Sequence, residues 1–239
     1  MNWKETLLIP AKGLISLFRV IIDFIYPPFC IVCQTSLSKD ERLICDNCWN
    51  NFPQIDGTVN IAREIRSKLS DPIYFSNAIS VWEFSLPIQQ AIHYLKYQNF
   101  RFLAGRIGRI MAKKLKDLSL PLAETVLIPV PLHKTRLRER GYNQSSLICE
   151  TIVVETGVQN CDNNLQRIRY TKSQTKLSAI ERTKNVKDAF SILHAEEIKN
   201  KVIILVDDVI TTGATMNACA KELMENGAKS VYLFSAAKA

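Results

Sequence analysis

Two carboxylates stand side by side at Asp207 and Asp208. After Val209 and Ile210 comes a hydroxyl-rich run, Thr211-Thr212-Gly213-Ala214-Thr215. The two parts suit different pieces of one ligand. Backbone N–H groups at a helix start favour a bound phosphate, and a glycine lets the main chain come close to it. Threonine hydroxyls add donors. Paired carboxylates beside such a nest accept hydrogen bonds from hydroxyl groups. A group that carries both phosphate and hydroxyls, a ribose phosphate, satisfies both parts. The preceding run, Val202-Ile203-Ile204-Leu205-Val206, is apolar and largely β-branched, the pattern of a strand buried on both faces of a parallel sheet. Ligands of open α/β sheets bind beyond the carboxyl ends of the strands, so the expected site is residues 207–215. The chain contains neither G-x-x-x-x-G-K-[ST] nor G-x-G-x-x-G, so the P-loop and dinucleotide-binding readings lack their motifs.

A second constellation is Cys30-x2-Cys33-x11-Cys45-x2-Cys48. Zn2+ takes four thiolates in a tetrahedron, and two C-x-x-C turns deliver them from two loops. With no histidine nearby, the pattern reads as a closed structural site. Cys149, Cys161 and Cys219 are scattered singly. An odd total with paired spacing suits a metal and a reducing compartment better than a disulfide framework.

The cations form a third set. The formal net charge is +8. Between Lys96 and Arg140 the basic residues include Arg101, Arg106, Arg109, Lys113, Lys114, Lys116, Lys134, Arg136 and Arg138, opposed by Asp117, Glu124 and Glu139. A second basic stretch runs from Arg167 to Lys187 with Glu181 its one acid. Such a distribution suits polyanionic partners.

The elements that must position these groups follow from periodicity. Strands are expected at 78–82, 126–130, 202–206 and 230–235. Helices are expected at 87–97, 102–118, 145–155 and 214–226, the last closed by Gly227. Residues 133–140 read as a polar loop, and 157–199 as irregular with two or three short elements. Strands alternating with helices imply an α/β fold with a doubly wound parallel sheet. The expected division is an amphipathic helical segment at 1–28, a small N-terminal four-cysteine zinc ribbon at 29–56 and one α/β domain at 57–239. In the first 25 residues Leu14, Leu17, Phe18, Ile21, Ile22 and Ile25 recur at helical spacing, while Arg19 and Asp23 interrupt the run. It is too polar to span a membrane. It reads as a helix that packs on the protein's own body or lies on a membrane surface. The expected location is therefore the cytoplasm, with contact at the inner membrane face as the alternative.

Residues 202–215 resemble the phosphoribosyl pyrophosphate motif of type I phosphoribosyltransferases: four apolar residues, two acids, two apolar residues and T-T-G-x-T, without a departure. The resemblance implies that Asp207 and Asp208 hold the ribose hydroxyls. As the catalytic residues, they would also stabilise an oxocarbenium-like charge. It implies that Thr211, Thr212, Gly213, Ala214 and Thr215 wrap the 5′-phosphate, and that Mg2+ accompanies phosphoribosyl pyrophosphate. The stretch from Ile128 to Gln144, the stretch from Arg167 to Phe190, Lys96-Tyr97 and the cysteine cluster occur in an order that resembles the ComF-type proteins, which take part in natural DNA uptake. That resemblance implies pyrophosphate or nucleic-acid contacts from Lys96, Arg136, Arg138, Arg140, Asn143, Gln144, Gln174 and Arg182. Two function classes remain open at this point. One is a competence protein that uses a phosphoribosyltransferase fold to handle single-stranded DNA, with other DNA-uptake proteins as partners. The other is a phosphoribosyltransferase enzyme of nucleotide salvage or related metabolism.

Overall fold

The computed structural model describes residues 28–56, 59–118, 120–170 and 188–239. The expected helix in residues 1–25 and the candidate residues Gln174 and Arg182 lie outside the described residues. The chain divides into two compact units, Met1–Phe52 and Pro53–Ala239. In the smaller, isolated bridges join Phe29 to Ser36 and Arg42 to Ile44, and a short helix α1 covers Asp46–Asn50. Among the described residues no helix is long and apolar enough to cross a membrane.

The larger unit opens with helix α2, Ile61–Lys68, whose first turn is capped by the Asn60 side chain accepting from the Arg63 N–H. Strand β1 is Asn77–Glu83, and helices α3 and α4 are Leu86–Tyr97 and Phe102–Lys116. Then come β2, Thr125–Pro129, helices α5, Lys134–Arg140, and α6, Gln144–Thr156, and the two-residue strand β3, Gln159–Asn160. Leu165–Arg167, β4, and Phe190–Ile192, β5, form a small antiparallel hairpin. The chain ends with β6, Val202–Ile210, helix α7, Ala214–Glu225, and β7, Ser230–Lys238. The main sheet has the order β1-β7-β6-β2-β3, with every pair parallel.

Side-chain alternation explains the two helical layers. Ile203, Leu205, Val231 and Leu233 share a core with Ile61 and Ile65 of α2 and with Met216 and Leu223 of α7. Leu127, Ile204 and Val206, of the opposite alternation, are equally buried. The second layer, in which α4 packs on α6, therefore covers the other face.

Two expectations are corrected. The strand expected at 202–206 continues to Ile210, because β7 runs beside it and pairs Asp207 with Ser235, Val209 with Ala237 and Ile210 with Lys238. On the other side β2 keeps its register only as far as Pro129 opposite Val206. The acids thus lie on a strand held along one edge and open along the other. The expected loop at 133–140 is helix α5. His133 caps it by accepting from the Thr135 N–H, and Gly141 ends it at φ 81°. None of its seven residues is buried, so it carries no apolar period that the sequence could reveal.

Two glycines of α4 test the layer packing. A Cβ at Gly105 meets nothing within 4 Å, whereas one at Gly108 would lie 2.6 Å from Thr151 Cβ and 3.0 Å from the Ile148 carbonyl of α6. Gly105→Ala is expected to stabilise the protein by about 0.5–1 kcal/mol, from helix propensity. Gly108→Ala is expected to cost about 1–3 kcal/mol, from overpacking. Thermal melts of the two variants should move in opposite directions.

Candidate functional site

The carboxyl ends of β2 and β6 open into a cleft of about 360 Å³ lined by both acids and by all of 209–215. Asp208 is 3% exposed. Its Oδ1 lies 2.7 Å from Lys96 Nζ, at the end of α3. Its Oδ2 is buried and accepts no hydrogen bond among the described residues. An unsatisfied buried acceptor is costly, and a donor arriving with a ligand would remove that cost. Asp207 is held differently. The Ser145 hydroxyl, in the first turn of α6, donates to Asp207 Oδ1 at 2.9 Å, and the Asp208 N–H donates to the same oxygen at 2.8 Å. Burial, and then the charge of Asp208, push the Asp207 carboxyl up to about 7, with Lys96 acting in the opposite sense.

The loop enters α7 through Gly213, at φ 77° in the left-handed region. Any side chain there would also collide with α2, since a Cβ would lie 2.4 Å from Ile65 Cγ2. Thr212 Oγ1 accepts from the Ala214 N–H at 3.4 Å. Thr215 and Met216, which follow in the first turn of α7, line the cleft, so the helix's N-terminal end faces it.

The helical form of α5 sorts the arginines. Arg136 and Arg140 are one turn apart and both line the cleft. Arg138 is not among the lining residues, and its Nε reaches back to the Lys134 carbonyl at 3.4 Å. Arg140 donates to the buried Gln144 side chain, and its guanidinium lies 5.3 Å from the centroid of the exposed Tyr97 ring. Asn143 plays a supporting part outside the cleft lining: its Oδ1 caps α6 at the Ser145 N–H, and its Nδ2 donates to the Val130 carbonyl at 3.0 Å. The cleft thus gathers Lys96, Arg136, Arg140 and Gln144 of the expected contacts. Two further residues take part that were not among the individually expected contacts. Ser145 holds Asp207. Arg167 enters from β4, its guanidinium 5.4 Å from the Phe190 ring centroid. Burial, and then the neighbouring Arg136, lower the Arg167 pKa.

In the smaller unit Cys30, Cys33, Cys45 and Cys48 bring their Sγ atoms within 4.8 Å of one another. Cys30 and Cys48 are 3.8 Å apart and Cys33 and Cys45 3.6 Å. A tetrahedron with Zn–S bonds of about 2.3 Å has edges of roughly 3.8 Å, so the donor set fits zinc. The Val32 and Cys45 N–H groups donate to Cys30 Sγ, and the Cys48 N–H to Cys45 Sγ, each at 3.4 Å. Such donors favour the thiolate form that a metal needs.

Two protein families match different parts of the chain. The phosphoribosyl transferase domain family matches residues 115–238, and the double zinc ribbon domain family matches residues 21–59. Over 224 residues the chain is 28% identical to "Competence protein F" of Haemophilus influenzae, covering 88% of this chain and 96% of the relative. The chain belongs to the ComF branch of the phosphoribosyltransferase family. This ComF-type chain is also 27% identical over 231 residues to "DNA utilization protein YhgH" of Salmonella typhi, with 95% and 97% covered. It is 29% identical over 210 residues to "Competence protein ComFC" of Bacillus subtilis, with 86% and 82% covered. Lys96 and Tyr97 precede the matched phosphoribosyltransferase segment, yet they line the same cleft as its acids.

The ComF-type chain purified without chelator is expected to carry one zinc per molecule. Changing Cys45 and Cys48 together to Ser should abolish it and open residues 28–52 to protease before the α/β unit melts. Metal analysis that finds no zinc would sink the assignment.

Proposed function

We propose that the cleft binds phosphoribosyl pyrophosphate or a ribose 5-phosphate group, and that the protein acts in handling single-stranded DNA during natural transformation. The observation that carries the first half is Asp208 Oδ2, buried and unpartnered among the described residues, beside a helix N-terminus lined with threonines. In this reading Asp207 and Asp208 accept the ribose hydroxyls, and the 211–215 loop donates to the 5′-phosphate. Mg2+ would come with the pyrophosphate, whose oxygens supply its ligands. Among the described residues Asp207 and Asp208 are the only acids lining the cleft, so these residues offer no dedicated cage for that ion.

Support for DNA comes from charge and from rings. Lys96, Arg136, Arg140 and Arg167 face two acids, which leaves the cleft basic. Tyr97 is 63% exposed at its rim and offers a face on which a base can stack. The relatives named for competence and DNA utilization point the same way. A strand phosphate would occupy the 5′-phosphate loop, and the place of action would be the cytoplasmic side of the membrane, among other DNA-uptake proteins.

A second reading, a phosphoribosyltransferase enzyme, is favoured by the apolar wall of Val130, Pro131 and Leu132 beside the acids, where an acceptor base could lie. There the carboxylates would stabilise the developing oxocarbenium charge. Pyrophosphate released from phosphoribosyl pyrophosphate in the presence of a panel of bases separates turnover from binding alone.

Phosphoribosyl pyrophosphate with Mg2+ is expected to raise the melting temperature by mass action. Asp207→Asn combined with Asp208→Asn should lose most of that rise while remaining folded. Binding of a labelled single strand, followed by anisotropy, should weaken steeply with salt. Arg136→Ala with Arg140→Ala should weaken binding to all sequences and reduce the salt slope by about two. Arg138→Ala should leave both nearly unchanged. A double acid variant that binds phosphoribosyl pyrophosphate like the parent would refute the ribose assignment.

A further inference from the structure

A buried ion pair gains little net stability, because the desolvation of both partners offsets most of their attraction. The Lys96–Asp208 pair is partly buried, with side chains 21% and 4% exposed, so the same offset bears on it. Its geometry is nonetheless fixed from several sides. Lys96 occupies the last turn of α3, where the helix dipole favours a cation. The preceding Leu95 is fully buried, and its carbonyl accepts from the Tyr142 hydroxyl. An ammonium has three donors, and Asp208 Oδ1 takes one of them. That contact leaves Oδ2 buried and without a hydrogen-bond partner among the described residues.

We propose that Lys96 is a positioning residue that serves the acid pair as a built-in cation, so that the cleft binds ribose 5-phosphate without a divalent metal. The inference rests on the reading that the cleft takes a ribose phosphate. Two adjacent carboxylates stay ionised together only with positive charge nearby. A bound divalent ion can supply that charge, and here an ammonium 2.7 Å from one of the acids does. The charged and titratable groups that act on Asp207 are Asp208 on its own strand, Lys96 from α3, Arg167 from β4, Cys149 from α6 and Cys219 from α7. Of these, Lys96 is the one that lowers its pKa while touching its partner acid. Loss of Lys96 therefore pushes the Asp207 carboxyl further above about 7. Ribose hydroxyls bind best to the ionised acid, so affinity falls as pH drops through that value, and without Lys96 it falls at a higher pH.

The test is calorimetric binding of ribose 5-phosphate by the full chain, in magnesium-free buffer and in buffer with Mg2+. Chelators are avoided, since they would strip the cysteine cluster. The parent should bind equally well in both. Lys96→Met should lose about tenfold or more without Mg2+, regain part of it with Mg2+, and move the pH midpoint upward by about one unit. Comparing variants on one ligand cancels the titration of the ligand's own phosphate. Lys96→Arg should keep the metal-free binding, which separates a charge role from a packing role. Circular dichroism melts establish that each variant is folded. A parent that needs Mg2+ as much as Lys96→Met does, or an unmoved pH midpoint, overturns the inference. If phosphoribosyl pyrophosphate with Mg2+ still binds in that case, the ribose-phosphate reading survives alone. If neither ligand binds under any condition, both fall.

Discussion

Asp207 and Asp208 place two negative charges on consecutive residues of a strand that is buried along most of its length. Their mutual repulsion, added to the loss of water, has to be met by donors and cations brought from elsewhere in the chain. Much of the α/β unit can be understood from that need. β7 continues beside β6 to hold the acids' backbone, while β2 pairs with β6 only as far as Pro129 opposite Val206. α6 begins where Ser145 reaches Asp207, and α3 ends where Lys96 reaches Asp208. α7 begins just past the acids and turns its positive end toward the same space. Three helix termini thus converge on one strand end. Each of them supplies a dipole or a side chain suited to anionic groups.

The charge run between residues 96 and 140 resolves into two surfaces with different partners. In α4 the residues Leu103, Ile107, Met111 and Leu115 face inward, so Arg109, Lys113 and Lys116 are turned to solvent. These cations are a solvated helix face that repeats every turn. Lys96, Arg136 and Arg140 instead meet in the cleft, joined by Arg167 from the β4–β5 hairpin. The first set offers a diffuse field to any polyanion. The second offers directed donors beside the two acids and the 211–215 loop.

Some of this was legible in the sequence and some was not, for reasons that differ by residue. The apolar run before Asp207 marked a central parallel strand because only such a strand needs both faces apolar. The C-x-x-C pairs marked a cluster because their spacing carries its own geometry. Helix α5 left no trace, since a seven-residue helix with no buried residue has no apolar face, and without it Arg138 could not be told from Arg136 and Arg140. Helix α2 did carry a signal, Asn60 as cap and Ile61, Ala62 and Ile65 at helical spacing, and that signal accounts for Gly213 as well. The partner of Lys96 lies 112 residues away, and no local pattern announces it. Ser145 looked like an ordinary first-turn residue until the end of β6 was set beside it.

Ile65 presses its Cγ2 into the space where any side chain at residue 213 would go. The turn at residues 211–215 is therefore braced from behind by a helix formed much earlier in the chain, outside the segment that matches the phosphoribosyltransferase family. Lys96 lies outside that segment too. A gene fragment cut at the family boundary would encode the strand, the acids and the threonines, yet would lack both the brace and the counterion. The cleft of this protein, as an inheritable and transplantable part, begins near residue 60 rather than at residue 115.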